Sequence, residues 1–267
     1  MRCKNTACEA KGSATLYLCK MEEKLWFKNW FNSPYYNLLY ANRDDSEAAA
    51  FITTLVDFFK PVAGAKMLDV GCGRGRHSRQ LAAWGFTVTG IDVAPENIRF
   101  AKQFATAQLH FEIHDMRQLY AARSMDYVFN FFTSFGYFNS QQEHVRALHM
   151  MATALRNKGI LILDYVNSDV AVQHQIKKEQ KVIRQVEFTI ERWNSTTHLY
   201  KRIQVEDLKK GIRLSHTEKV FRFSKDTLTN LLLQQGLTIK TVWGDYQLNS
   251  FDPSHSPRMI FYAEREN

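Results

Sequence analysis

From residue 66 to residue 166 short apolar runs alternate with stretches of helical period. Runs at 66–70, 86–91, 108–113, 125–131 and 160–166 have strand length. Amphipathic patterns predict helices at 75–84, 95–104 and 141–156, the last ending near Asn157 and Gly159. Ahead of them, Phe51, Leu55, Phe58 and Phe59 form one stripe of a helix over 47–60. Asp44-Asp45-Ser46 can cap that helix and Pro61 ends it. Residues 25–40 are rich in aromatics, and Phe27, Trp30 and Phe31 share a helical face. Beyond 180 the period becomes two, as in Val182, Arg184, Val186, Phe188 and Ile190. This predicts three antiparallel strands at 181–192, 198–206 and 212–223. Ser224 then caps a helix through Gln235, Gly236 stops it, and strands follow at 237–243 and 258–264. Strand and helix alternating at short spacing predict an α/β fold with a doubly wound, mostly parallel seven-stranded sheet and helices on both faces. An aromatic N-terminal helical cap and an antiparallel β insertion are added to it. The expected division is a tail and cap at 1–45, a ligand-binding domain at 46–170 and 224–267, and the insertion at 171–223 over the cleft.

Composition narrows the class. The chain has 267 residues, 45% of them apolar, enough for a large core. It has no apolar run of ~18 residues and no signal-like start, so neither a membrane span nor secretion is expected. Met21 is a second candidate start, which would make 1–20 a leader. Three of the four cysteines, Cys3, Cys8 and Cys19, lie at the start, and Cys72 lies in a glycine-rich run. That is no disulfide framework for this length, and a reducing cytoplasm is the expected location. The first three lack a C-x-x-C pair or a fourth ligand, so no metal is expected. The net charge is +8, and 172–223 carries twelve Lys/Arg against six Asp/Glu, an excess of six. A basic face of this kind suits nucleic acid or an anion. The plainer reading, and the favoured one, is a solvated sheet guarded by Lys and Arg.

Candidate chemistry concentrates in Met67-Leu-Asp-Val-Gly-Cys-Gly-Arg-Gly75, an apolar strand ending in an acid and then a D-x-G-x-G-x-G turn. Gly71, Gly73 and Gly75 let the backbone turn sharply and approach a ligand closely. The following helix aims its first N–H groups into the same space. A dinucleotide fingerprint, G-x-G-x-x-G, would place its third glycine one residue later. A pyrophosphate also has no use for a carboxylate at Asp69. The run resembles the cofactor loop of class I S-adenosylmethionine-dependent methyltransferases, whose ligand carries a sulfonium and an ammonium.

The resemblance covers about 45–165 and 224–264 and implies further roles. Asp92 ends the second strand 23 residues after Asp69; beside Val93 it would accept both ribose hydroxyls. Asp115 would take the adenine amino group, with Met116 supplying its N–H and an apolar contact. His114 beside it reads as a structural contact. Cys72, Asn130 and Phe131 complete the expected cofactor set, together with Arg43, whose guanidinium would meet the cofactor carboxylate. The exit of the fourth strand, through Ser134 and Tyr137, lies in the family beside the methyl group. It lacks the Asn/Asp-Pro-Pro-aromatic run of base-amine enzymes and the cysteine of cytosine C5 enzymes. The likeness is closest to small-molecule N- or O-methyltransferases, including glycine and amino-sugar enzymes. Tyr36 and Tyr40 of the cap, with Ser134 and Tyr137, are the expected substrate residues. Tyr137, His198 and His216 are weak candidates for a base, and no catalytic base is assigned. Two alternatives stand: an RNA or protein methyltransferase recruited by the basic insertion, and a cofactor-binding protein without turnover.

Overall fold

The computed structural model describes residues 26–41, 45–131 and 134–266. They form two compact units. The first comprises 26–41, Ile176–Trp193 and Tyr200–Lys219; the second comprises 45–175, Asn194–Leu199 and 220–266.

The second unit is built on a seven-stranded sheet. Its strands are β1 (Lys66–Val70), β2 (Thr87–Asp92), β3 (Leu109–Ile113), β4 (Met125–Asn130), β5 (Leu155–Val166), β10 (Leu237–Trp243) and β11 (Arg258–Arg265). Their order is β10-β11-β5-β4-β1-β2-β3. β11 runs antiparallel to both its neighbours, and the pairs from β5 to β3 are parallel. Helices α3 (Asp45–Phe59), α4 (Arg76–Ala83), α5 (Pro95–Ala101), α6 (Gln141–Ala154), α7 (Ser168–Gln173) and α8 (Lys225–Leu233) flank it. The order reverses between β1 and β4, and the carboxyl ends on either side of that point form the crevice where such sheets bind ligands.

Local chemistry sets the boundaries. α3 buries Phe51, Ile52 and Leu55 from one stripe. They join Met67, Val88, Phe111, Phe129, Ile162 and Trp243 in the main core. The Ser224 hydroxyl accepts from Thr227 N at 3.1 Å, so the expected cap opens α8. Two expectations need correction. The helix over 141–156 ends at Ala154, and 155–159 already belong to β5. The pairing of β4 with β5 shifts between Met125 and Tyr127, Lys158 has φ 60, and a Cβ on Gly159 would meet Arg156 O at 2.9 Å. Those residues form an irregular strand entry, with the glycine dictated by close backbone. The second correction is in the insertion, which has four strands where three were expected.

Those strands, β6 (Lys178–Ile183), β7 (Val186–Asn194), β8 (His198–Asp207) and β9 (Ile212–Phe221), form an antiparallel sheet in that order. The predicted strand 181–192 turns back on itself, since Ile183 pairs with Val186 and leaves Arg184-Gln185 as a two-residue loop. Both loop residues have positive φ, 50 and 67, the sign a type I′ hairpin turn demands. No Gly, Asn or Pro announces it. In the first unit, α1 (Trp26–Phe31) and α2 (Pro34–Leu39) supply Trp30 and Tyr35 to a core with Val186, Phe188, Ile190, Ile203 and Val205. Ion pairs also lace these strands: Glu191 with Arg202 and Lys178, Glu179 with Arg192 and Lys181, Glu206 with Arg213. These pairs fix several of the segment's cations, and its excess of six basic residues remains.

Candidate cofactor and active site

The end of β1 turns through three glycines with φ of 74, 57 and 78 at 71, 73 and 75, which side chains rarely adopt. Space adds its own demand at two of them. A Cβ on Gly71 would lie 2.4 Å from Ser134 Cβ, and one on Gly75 would lie 2.6 Å from the Phe111 ring. Around Gly73, by contrast, no described atom lies within 4 Å of that position. The Gly73 N–H is held by Asp92 Oδ2 at 2.9 Å, while Asp92 Oδ1 accepts from Ala94 N at 2.8 Å. One carboxylate therefore ties the glycine loop to the end of β2 and turns the chain into α5. The Asn97 side chain and the Val93 N–H bond the same carboxylate. Burial raises the Asp92 carboxyl above its ordinary range, against the backbone N–H bonds that lower it.

Asp69 lies deeper, 1% exposed, and accepts from Ser78 Oγ at 2.6 Å. Desolvation, opposed by the Ser78 bond and reinforced by the Asp92 charge, pushes its carboxyl up to about 7. Asn130 is fully buried, and its Nδ2 donates to Val70 O at 2.7 Å, bracing β4 against β1. The Asn130 Oδ1 has no hydrogen-bond partner among the described residues. Cys72 turns inward, its Sγ close against Gly90, and burial raises its thiol well above the ordinary range. Phe131 is core, stacked on Phe129 at 5.1 Å and under the His77 ring at 4.4 Å. Val93 is half-buried between Asp92 and Ala94.

Past β3, Asp115 and Met116 are both half-buried, and the Met116 methyl comes within 3.4 Å of the Cβ position of Gly71. Asp115 accepts from Arg117 at three points: N (3.1 Å), Nε (3.0 Å) and Nη2 (2.7 Å). His114 pairs with Gln118 O at 3.0 Å, in keeping with a structural role. Past β4, Ser134 Oγ donates to Gly71 O at 3.0 Å, so this exit loop touches the glycine loop directly. Gly136 O accepts from Phe221 N at 2.9 Å, and Tyr165 OH donates to Phe221 O at 2.7 Å, fixing the loop just before Tyr137.

Asp69, Gly71, Gly73, Asp92, Met116, Asn130 and Ser134 thus gather at the carboxyl ends of β1, β2 and β4, and the Asp115 loop reaches them through Met116. Arg43 lies outside the described residues, as do Cys3, Cys8 and Cys19. Tyr36, Tyr40 and His216 come together in the first unit. Tyr36 lies 4.8 Å from Tyr40, and Tyr40 OH and Trp30 Nε1 both donate to the buried Glu218, at 2.9 and 2.8 Å. His216 stacks on Trp30 at 4.7 Å; burial lowers its imidazole, with Glu218 opposing. His198 belongs to the second unit, its Nδ1 2.8 Å from Thr197 Oγ1 and its ring 4.2 Å from Phe221. Sequence reasoning missed Ser78, Arg117, Glu143 and Glu218. Only Arg117, two residues past Asp115, and Glu143, in Ser140-x-x-Glu, carry a local signal.

A family model described as a methyltransferase domain matches residues 61–226, more than half of the chain. The chain belongs to that methyltransferase family. Its fold is the class I one of solved S-adenosylmethionine-dependent methyltransferases. A glycine/sarcosine N-methyltransferase of Aphanothece halophytica is 31% identical over 51% of this chain and 52% of the relative. A dTDP-3-amino-3,4,6-trideoxy-α-D-glucopyranose N,N-dimethyltransferase of Streptomyces venezuelae is 26% identical over 67% of this chain and 77% of the relative. Among solved structures, an S-adenosylmethionine-dependent methyltransferase from Clostridium acetobutylicum has a TM-score of 0.73 at 14% identity. That match covers 96% of this chain and 100% of the other, and it shows the fold alone. The first curated relatives are spanned over about half of their length or less. The residues present fit the cofactor. An open position at Gly73, a carboxylate beside it at Asp92, an orphaned amide oxygen at Asn130 and a buried acid at Asp69 that the Arg76 charge only partly offsets suit a cationic nucleoside. Among the described residues no helix is long and apolar enough to cross a membrane, and no acid, His or Cys cluster could hold a metal ion.

Proposed function

We propose that this chain transfers a methyl group to a nitrogen or oxygen nucleophile of a small molecule, an amine being the first choice. The observation that carries the reading is the Gly73–Asp92 tie, which leaves ligand space open over Gly73 while holding a carboxylate beside it. Relatives named as glycine and amino-sugar N-methyltransferases support the amine. S-adenosylmethionine supplies a methyl group on a cationic sulfur and leaves as neutral S-adenosylhomocysteine. Asp92 would hold the ribose hydroxyls, Asp115 and Met116 the adenine edge, and Arg43 the cofactor carboxylate. Ionised Asp69, beneath the loop, would balance the ligand's positive charge. Ser134 and Tyr137 would face the acceptor. Tyr36 and Tyr40 remain acceptor-side candidates, since aromatic faces attract cations. An amine must shed its proton before it attacks, and Tyr137, His198 and His216 are the candidates to take it. With a good leaving group, alignment supplies most of the rate. The small-molecule acceptors named for the relatives leave recruitment of RNA by the basic segment as the second reading.

The test is calorimetric titration with S-adenosylmethionine and S-adenosylhomocysteine, against NAD, on the wild type and Asp92→Ala. Micromolar binding lost in the variant supports the site; absence of binding to the wild type sinks it. Methyl transfer is then measured to amines, hydroxyl compounds and RNA. Transfer to RNA alone, or to nothing, rejects the small-molecule reading.

A further inference from the structure

Arg117 occupies a position that no cofactor contact explains. Its Nε and Nη2 grip both carboxylate oxygens of Asp115, at 3.0 and 2.7 Å, the forked geometry in which a guanidinium holds a carboxylate most firmly. Its remaining terminal nitrogen, Nη1, donates to Glu143 Oε1 on α6. The other oxygen of Glu143 accepts from Asn139 N at 3.1 Å and Ser140 Oγ at 3.4 Å, while Ser140 Oγ accepts from Glu143 N at 3.3 Å. Ser140 caps α6, and Glu143 both completes that capping box and anchors the end of the β4 exit loop. The guanidinium also lies 5.0 Å over the Phe138 ring of that loop. The loop's other end is fixed by Ser134 on Gly71. Arg117, Asp115 and Glu143 are each at most one-third exposed, so the two ion pairs are screened less than surface pairs.

We propose that Arg117 is a positioning residue which, through Glu143, couples the adenine edge to the loop carrying Ser134 and Tyr137. The inference rests on the adenine role given above to Asp115. Gripped on both oxygens, Asp115 has few orientations left, which sharpens its choice of an amino donor over a carbonyl acceptor. An adenine amino group bound to Asp115 adds a partner to the same network, and the order passes along Arg117 and Glu143 into residues 138–140. Cofactor binding then prepares the loop on which the acceptor would settle.

The experiment compares S-adenosylhomocysteine with S-inosylhomocysteine, whose purine bears an oxygen where adenine has its amino group. Binding is measured by calorimetry on the wild type, Arg117→Met, Glu143→Ala, Glu143→Gln and the Met/Ala double variant, with circular dichroism to check folding. Hydrogen exchange at 134–140 is read with and without S-adenosylhomocysteine. Arg117→Met should reduce the preference for the adenine ligand by about tenfold, the value of one charge-assisted hydrogen bond. Glu143→Ala, which touches no purine, should reduce it several-fold, with Glu143→Gln restoring most of it. The double variant should be no worse than Arg117→Met alone. Ligand should slow exchange at 134–140 in the wild type and fail to do so in Glu143→Ala. Wild-type preference together with wild-type slowing in Glu143→Ala overturns the coupling, and that variant decides even where Arg117→Met does not fold. Loss of all S-adenosylhomocysteine binding by the wild type would overturn the cofactor site itself.

Discussion

Substituting Gly71 separates backbone strain from crowding at the point where two loops of the site touch. Gly71→Ala must hold φ 74 with a Cβ, a left-handed conformation costing ~1–2 kcal/mol. The added methyl also falls 2.4 Å from Ser134 Cβ and 2.7 Å from Ser134 Oγ. Overpacking of that kind costs ~1–3 kcal/mol, so the total is about 2–5 kcal/mol. Gly73→Ala is the control: φ 57 imposes the same strain, but no described residue beyond its chain neighbours lies within 4 Å, so ~1–2 kcal/mol is the whole cost. Ser134→Gly removes both crowding atoms and gives up the 3.0 Å bond to Gly71 O, worth ~1 kcal/mol net. In the Gly71→Ala/Ser134→Gly double variant the crowding disappears. Its loss of stability should fall short of the sum of the singles by ~1–3 kcal/mol. Urea denaturation of all four variants measures this, and calorimetry with S-adenosylhomocysteine runs beside it. Gly73→Ala should lose affinity out of proportion to its small loss of stability, because its methyl takes space assigned to the ligand. An additive double variant would refute the crowding argument. Unchanged ligand affinity in Gly73→Ala would refute the placement of the ligand.

Three further outcomes are expected. Asp69, raised to about 7 against ~3.9 in the unfolded chain, binds its proton more tightly when folded, so stability of the ligand-free chain falls as pH rises from ~4 to ~7. Asp69→Asn keeps an acceptor for Ser78 and should be the more stable protein at pH 8, by up to ~4 kcal/mol, with the gap closing toward pH 4; a pH-independent difference in denaturation would count against it. His144, buried among Phe135, Phe138, Phe221 and Phe223, is lowered by burial to about 4. The stability it contributes is complete above ~6.5 and is lost as pH falls toward 4, by ~3 kcal/mol, so His144→Gln should unfold at lower pH in an acid titration followed by near-ultraviolet circular dichroism. Replacing Arg184-Gln185 by Asn-Gly gives the β6–β7 turn residues that accept positive φ and should raise Tm by ~2–4 °C for about 1 kcal/mol; an unchanged Tm would mean the turn carries no strain.

The seven-stranded sheet was legible because its signals are local. Each strand of the sheet is an apolar run, and Ser224, Pro61 and Gly236 punctuate it with chemistry that any reader of sequence can use. The hairpin at Arg184-Gln185 was illegible for the opposite reason. Its two residues are ordinary, and the period of two runs through the turn without a break: Val182, Arg184 and Val186 continue a single alternation. The β5 entry failed similarly. Asn157 and Gly159 resemble a helix stop, whereas the glycine answers to Met125 O and Arg156 O, long-range and local backbone atoms that only the paired strands reveal. Arg117 and Glu143 lie 26 residues apart, and nothing in either segment names the other.

Within the site, residue type was legible and depth was not. The run D-x-G-x-G-x-G points at Asp69 as a ligand contact, yet Asp69 and Asn130 lie beneath the surface, occupied by Ser78 Oγ and Val70 O. Asp92, Met116 and the open side of Gly73 form the layer above. The two layers call for different chemistry. A carboxylate in direct contact answers to hydrogen-bond geometry, whereas a buried one acts through its field and is costly to ionise without a facing cation. Asp69 beside Asp92 is such a charge, only partly offset by Arg76, and a cationic ligand over the glycine loop is what would relieve the rest. Affinity for S-adenosylmethionine should therefore rise with pH through about 7, while affinity for neutral-sulfur S-adenosylhomocysteine, whose only cation is its ammonium, should rise less. Parallel titrations of both ligands at pH 6 and 8 measure that difference. Equal pH dependence would place the sulfonium out of reach of the Asp69 field and return that acid to a purely structural role with Ser78.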